Sequence, residues 1–290
     1  MRAVFLLLLA CAPVFAETTV TDLFEAKTLA RIAAADSQLD GVLGVAAIDL
    51  TTGHTLTYHA DAVFPTASTI KVPIMIQLYR AVRAGEVKLT DVIPVTVKDL
   101  VEESPVVEKA AKSSGKITVR ELLEAMMQVS DNTATNKLIE LLGMAKVNRA
   151  MDEAGFLQTR LRRRMIDLAA ARRNEENVST PLEMARLMQM IWQGKAVDEA
   201  ASREMLEVMT PTKAEIRKVI PAGIRVASKP GWLDQVKCEV AIVFLEKRPF
   251  VVSVYSTYLK GDENPTGNIT TILFDYFSRL AKSNLYGRGL

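Results

Sequence analysis

The sequence predicts an α/β (α+β) fold. One antiparallel sheet is built from both chain ends, helices pack on it, and an all-helical domain is inserted between the two contributions. Three observations predict it. Residues 42–49 and 55–58 read as strands around a Thr51-Thr52-Gly53 turn, and further β-rich runs fall at 225–229, 239–245 and 250–257. Between these two regions apolar residues recur at helical spacing. The chain has 290 residues with 49% hydrophobic content, enough to bury a sizeable core. The expected division is a sheet-containing lobe from 17–61 and 206–290 and a helical lobe from 62–205, with a cleft at their seam.

Taken in order, residues 1–16 read as a secretory leader: Arg2, a short apolar run from Val4 to Leu9, and a small-residue cleavage site at Val14-Phe15-Ala16. The mature chain is then expected to begin at Glu17 and to be secreted or periplasmic. Leu8-Leu9-Ala10-Cys11 also resembles a bacterial lipoprotein cleavage box, which would instead leave the protein anchored through Cys11. Residues 17–36 carry a helical pattern in Leu23, Ala26, Leu29, Ala30, Ile32 and Ala33. The hairpin follows. A helix capped by Ser68 is predicted to run to about Ala84 and stop at Gly85.

Residues 90–114 read as irregular, with a short amphipathic piece near Asp99. Thr118 with Glu121 three residues on is a helix-start signature. Ser130-Asp131-Asn132-Thr133 interrupts the apolar pattern before helices at 134–142 and 144–154, each ended by a glycine. Residues 159–179 are long, charged and aperiodic, and the basic runs in them read as a solvated loop face. Thr180-Pro181 opens another helix, 198–209 gives a further one, and 268–280 closes the chain. Pro230-Gly231 and 246–249 punctuate the late strands.

Composition excludes several functions. A formal net charge of +2 gives no general attraction to nucleic acid. Removal of the leader takes Cys11 and leaves Cys238 alone, so no intramolecular disulfide is expected and Cys238 reads as a strand residue. The two histidines, His54 and His59, lie in a strand-like stretch without partner cysteines. No metal and no cofactor is expected, and neither histidine is a convincing base for a Ser-His-Asp hydrolase.

The chemistry points to three short motifs. Ser68 and Lys71 sit three residues apart at a predicted helix start, where a lysine amine can reach a serine hydroxyl on the same face. A serine becomes nucleophilic when a neighbouring base takes its proton, and a lysine of depressed pKa can be that base. Ser130-Asp131-Asn132 can present a second hydroxyl and an amide, and is equally good helix-capping sequence. Lys229-Pro230-Gly231 ends a late strand. In this order and at these separations the three resemble the signature set of class A β-lactamases and penicillin-binding proteins. The stretches 64–71, 100–106, 129–134 and 220–223 look like the class A branch, and the resemblance covers essentially all of the mature chain.

That resemblance implies roles. Ser68 is the acylated nucleophile, Lys71 its base or part of a proton relay, and Ser130 the donor to the departing nitrogen. Lys229 lies near Ser130 and the substrate carboxylate, and Asn132 holds the substrate's amide side chain. Backbone N–H groups of Ser68 and Trp232 form the oxyanion hole, beside Gly231. Lys237 stands where related proteins often carry an arginine, and is equally a solvated strand-end residue.

The sequence also departs from the family. Counting from Thr159-Arg160-Leu161, the position of the deacylating glutamate falls on Met165 and that of its partner asparagine on Ala169, neither a general base. Asp167 is the nearest carboxylate and the possible base; Glu175 and Glu176 lie further on. Pro230 replaces a hydroxyl residue, and Glu103 stands where an aromatic commonly lines the pocket mouth. The expectation is an exported serine hydrolase that opens the β-lactam amide and deacylates slowly. Its partner is a β-lactam or a peptidoglycan peptide, it acts as a monomer, and it meets a membrane only if Cys11 is lipidated. Two other readings stay open: a D-alanyl-D-alanine carboxypeptidase of the penicillin-binding type, and a non-catalytic β-lactam-binding domain.

Overall fold

The computed structural model describes residues 18–289, so the leader and Cys11 lie outside the described residues. Helix α1, Val20–Ser37, opens on a reciprocal cap between Thr19 and Asp22. The chain then forms the predicted hairpin of β1, Val42–Asp49, and β2, Thr55–Tyr58. A two-residue strand β3, Phe64–Pro65, leads into a 3₁₀ turn at Ala67–Ile70 and then α2, Lys71–Arg83. This corrects the expected helix start: Ser68 caps nothing, and lies inside the tight turn that precedes α2.

The stretch 90–114 is more ordered than its sequence suggests. It contains β4, Val92–Pro94, and α3, Pro105–Lys112. Helix α3 has two turns and one short apolar face, with Val107 buried and Ala110 and Ala111 packed partly buried beside it. Strand β5, Lys116–Thr118, pairs antiparallel with β4 and runs into α4, Val119–Gln128, through the Thr118–Glu121 capping box. After α4 come α5, Asn132–Leu142, and α6, Met144–Glu153, joined at Gly143. The long charged stretch holds a short α7, Leu168–Arg172, and β6, Val178–Ser179, which pairs with β3. Helices α8, Pro181–Trp192, and α9, Glu199–Met209, follow, then a five-residue α10, Glu215–Val219, that the sequence did not reveal.

Strands β7, Val226–Leu233, β8, Val236–Val243, and β9, Phe250–Thr257, complete one antiparallel sheet in the order β2-β1-β9-β8-β7 before α11, Thr266–Ala281. Both ends of the chain thus build the sheet, β1 lying directly against β9. Strand β7 continues through Pro230-Gly231, where the sequence predicted its end. It is the sheet's edge, and an edge strand tolerates a residue without an N–H.

Alternation along the strands sorts the core into two layers. Ala227, Cys238, Val240, Ile242, Val251 and Tyr255 face the helices of the middle of the chain. Val226, Ala241, Val243, Val252 and Val254 face the layer made with α1, α10 and α11. Burial on both faces explains why the late strands read as nearly continuous apolar runs. Each fully buried Leu, Ile or Val contributes roughly 1.5–3 kcal/mol from removal of its surface from water.

Candidate active site

The nucleophile's turn is pinned from two sides. Thr66 donates to the Asn177 carbonyl from both its N–H, at 2.9 Å, and its hydroxyl, at 3.0 Å. From the sheet, the Cys238 thiol donates to the Thr66 carbonyl at 3.0 Å. Burial pushes that thiol up to about 12, so Cys238 acts here as a buried donor rather than a thiolate. Gly231 is the price of the close approach between β7 and this turn. A Cβ there would lie 2.8 Å from the Ser68 nitrogen, 2.9 Å from Cys238 Sγ and 3.0 Å from the Thr66 oxygen. The glycine that follows Lys-Pro is therefore a packing requirement of the site.

The second motif lies at the junction of α4 and α5. Asp131 caps α5 through Ala134 N–H at 2.8 Å, and its other oxygen accepts Val106 N–H at 3.0 Å and Val107 N–H at 3.1 Å. Capping and chemistry are thus divided among neighbours: Asp131 holds the backbone while Ser130 and Asn132 reach the site. Ser130 has φ of 60°, and Ala67, Glu103 and Ile166 share this left-handed region at 43°, 56° and 62°. Each costs a non-glycine residue on the order of 1 kcal/mol or more, and strain of this kind gathers where side chains must be aimed.

The side chains converge on one hydroxyl. Ser130 Oγ donates to Ser68 Oγ at 2.8 Å and accepts from Lys71 Nζ at 2.9 Å and from Lys229 Nζ at 3.0 Å. Lys71 Nζ also donates to the Ser130 carbonyl at 2.7 Å and to Asn132 Oδ1 at 3.0 Å. The three-residue spacing predicted a direct Lys71–Ser68 contact. The amine turns instead to Ser130 and Asn132, and it meets Ser68 through Ser130.

Both lysines are fully buried while Ser68 is half-buried. Burial lowers the Lys71 amine well below its ordinary range, the Lys229 charge lowers it further, and Asp131 and Glu103 oppose the shift. Burial likewise lowers Lys229, to about 7. Two buried amines that hold their protons less tightly than an exposed lysine, sharing a hydroxyl with a half-exposed serine, form a proton path suited to acyl transfer. Among the described residues no group of histidine, cysteine, aspartate and glutamate is disposed to hold a metal ion.

The charged loop is more tightly held than a solvated face. Arg163 is buried and pairs with Glu176 at 2.7 Å, and Arg160 pairs with Asp152. Asn136 accepts Met165 N–H at 2.8 Å and donates to the Met165 carbonyl at 3.2 Å. Asp167, the candidate base, accepts Ala170 N–H at 2.9 Å as the cap of α7. It lines a cavity of about 350 Å³ with Lys98, Lys137, Arg164, Asn136 and Met165, and no hydrogen bond joins it to the Ser130 cluster.

Lys237 also stays outside that cluster. It alternates with Cys238 on β8, so it belongs to the sheet face turned away from the nucleophile's turn, opposite Trp232 in register. Trp232 stands half-exposed on the edge strand. The sequence reading missed the clamp at Asn136 and the anchor at Cys238. The signal for the first was present: Asn136 lies one helical turn after Asn132 and shares its face.

A model of the β-lactamase enzyme family matches residues 26–277 of the chain. The fold is similar to that of an ancestral class A β-lactamase at 30% identity and a TM-score of 0.81, covering 86% of this chain and 100% of that one. It is similar to a β-lactamase from Sphaerobacter thermophilus at 30% identity and a TM-score of 0.77, over 87% of this chain and 97% of the other. A β-lactamase from Burkholderia vietnamiensis matches at 27% identity and a TM-score of 0.79, over 88% and 96%.

Proposed function

The chain belongs to the class A branch of the β-lactamase enzyme family, and from that premise we propose that it opens the β-lactam amide through an acyl-enzyme on Ser68 whose deacylation is slow. The observation that carries this reading is the single Ser130 hydroxyl shared by Ser68, Lys71 and Lys229. In the proposed reaction the Ser130 hydroxyl turns so that it accepts from Ser68 and donates to the neutral Lys71 amine, and the Ser68 proton passes by way of Ser130 to that amine while Ser68 Oγ attacks the lactam carbonyl. The N–H groups of Ser68 and Trp232 receive the oxyanion. Ser130 then protonates the departing nitrogen, drawing on the lysines behind it, and Lys229 attracts the substrate carboxylate. Asn132 donates from Nδ2 to the acyl side chain's amide carbonyl.

Deacylation requires a base that deprotonates a water beside the ester. Met165, the residue clamped by Asn136, has no titratable group, and Asp167 is engaged as a helix cap. Loss of general-base catalysis costs about 10²–10⁴-fold in rate. The same observation favours a second reading, a D-alanyl-D-alanine carboxypeptidase that meets β-lactams as slowly released acylating agents.

The test is intact-mass spectrometry after mixing with benzylpenicillin, followed over time. The expected record is a rapid one-to-one adduct that decays slowly and is absent from Ser68→Ala. An adduct that persists undiminished in Ser68→Ala overturns the assignment. Release of D-alanine from a D-Ala-D-Ala peptide distinguishes the carboxypeptidase, and permanent acylation with turnover of neither substrate distinguishes a binding domain. We further propose a monomer exported by its leader and starting at Glu17; N-terminal sequencing of the exported protein checks this, and a lipid-modified Cys11 refutes it.

A further inference from the structure

Residues 102–104 form a strap fixed across the start of α5. The Asn132 N–H donates to the Glu103 carbonyl at 3.2 Å, and Asn132 Nδ2 donates to the Glu102 carbonyl at 3.2 Å. The Ser104 hydroxyl accepts Thr133 N–H at 2.9 Å and the Thr133 hydroxyl at 2.7 Å, while Val101 N–H donates to the Thr133 hydroxyl at 3.0 Å. Within this strap Glu103 is held at φ of 56°, a conformation that only a well-determined surrounding sustains in a glutamate. The strap therefore fixes where the Glu103 side chain leaves the backbone.

That side chain is exposed, and its carboxylate reaches to 3.5 Å from Asn132 Nδ2. The contact is at the long limit of a hydrogen bond and is easily exchanged for a better one. Asn132 Nδ2 has two hydrogens. One is committed to the Glu102 carbonyl, and the other points to the slot that Glu103 partly fills. In the acyl-enzyme reading this second hydrogen is the donor to the substrate's side-chain carbonyl. The atom next to that carbonyl then comes within ion-pair reach of the Glu103 carboxylate. No lysine, arginine or histidine among the described residues pairs with Glu103, and Glu102 beside it adds a second exposed negative charge.

We infer that Glu103 is a specificity residue that selects acyl groups bearing an ammonium on the carbon next to the side-chain amide carbonyl. The inference rests on the acyl-enzyme reading above. A cationic acyl group draws Glu103 off Asn132 and pairs with it, leaving the amide hydrogen free for the carbonyl. A neutral acyl group must displace the carboxylate and gains no pair in return. An anionic one meets repulsion from Glu102 and Glu103 together. The substrate class is thus a β-lactam or peptide whose acyl portion carries a free amine.

Ampicillin and benzylpenicillin differ by just such an ammonium, and their Ser68 acylation rate constants can be compared in wild type, Glu103→Gln and Glu103→Asp. An ion pair at a solvent-exposed rim is worth up to about a fivefold preference, weakening as salt screens it. The expected result is that the ampicillin to benzylpenicillin ratio exceeds that of Glu103→Gln by up to this factor at low ionic strength. It should shrink toward the Glu103→Gln value in high salt, and Glu103→Asp should retain part of it. A merely structural Glu103 would slow both penicillins alike and leave the ratio unmoved, which overturns the inference while leaving the acyl-enzyme intact. If neither penicillin acylates Ser68, the acyl-enzyme reading falls and the specificity falls with it.

Discussion

Asn136 grips Met165 at both ends of its backbone, accepting its N–H at 2.8 Å and donating to its carbonyl at 3.2 Å. The grip comes from the face of α5 that also carries Asn132 against Lys71, so the loop's register is set by the active-site helix itself. Residue 165, where the resemblance to class A enzymes places the deacylating carboxylate, is in this chain an apolar side chain that is 7% exposed.

This predicts that Met165→Glu accelerates hydrolysis of the acyl-enzyme by at least about tenfold, within the 10²–10⁴-fold that general-base catalysis typically supplies. Decay of the penicillin adduct measured by mass spectrometry checks it. Asp167→Asn should leave the wild-type decay unchanged. A wild type that turns over penicillin rapidly without a burst would show that a base is already present.

The two buried lysines predict a bell-shaped pH dependence for the second-order acylation constant. As pH falls, Lys71 takes up a proton and can no longer accept one from the Ser130–Ser68 pair. As pH rises through about 7, Lys229 loses its charge and its attraction for an anionic substrate. Lys229→Arg keeps the charge at all accessible pH, so its alkaline limb should move upward or vanish. Stopped-flow acylation from pH 5 to 10, each variant normalised to its own maximum, measures this. An unmoved alkaline limb would assign it to another group.

Gly231→Ala should cost acylation about 10²-fold, the scale of losing one oxyanion donor, because the new Cβ meets the Ser68 nitrogen and the Thr66 oxygen, both backbone atoms. The accompanying loss of stability should be about 1–3 kcal/mol, the usual cost of overpacking. Acylation kinetics and urea midpoints together check both values. Near-wild-type acylation would mean that β7 can retreat without disturbing the turn.

Glu239 makes a prediction about stability rather than catalysis. One of its oxygens accepts Glu215 N–H at 3.0 Å and Ile216 N–H at 3.3 Å at the start of α10, and the other is buried without a partner. Burial pushes the carboxyl up from its ordinary 4.5 to about 8. The folded state therefore holds a proton that the unfolded chain releases between these values, so this group's contribution to stability falls as pH rises from 4.5 to 8. Lys229 acts in the opposite sense at higher pH, its contribution growing from about 7 to 10.5. Glu239→Gln removes the first penalty. Its stability relative to wild type should improve between pH 5 and pH 8, by on the order of a few kcal/mol. Urea unfolding at the two pH values measures the change, and a difference independent of pH would refute it.

The sequence by itself determined the antiparallel sheet shared by the two chain ends, most helices of the middle, and the three motifs that meet at the site. These features are local: strand alternation, a Thr118–Glu121 box and a Thr180-Pro181 start are each set by residues within a few positions of one another. It also marked the missing carboxylate at Met165. Tertiary structure alone decided the rest. Lys71 turns to Ser130 instead of Ser68, Gly231 is required by a turn 163 residues earlier in the chain, and Arg163 is buried with Glu176 rather than solvated. Lys237 falls on the far face of β8 while Cys238 faces the nucleophile's turn, and Asn136 fixes the loop. Such facts depend on which surfaces are brought within a hydrogen bond or a van der Waals radius of one another, and close packing of distant segments settles that, with no periodicity in sequence to announce it.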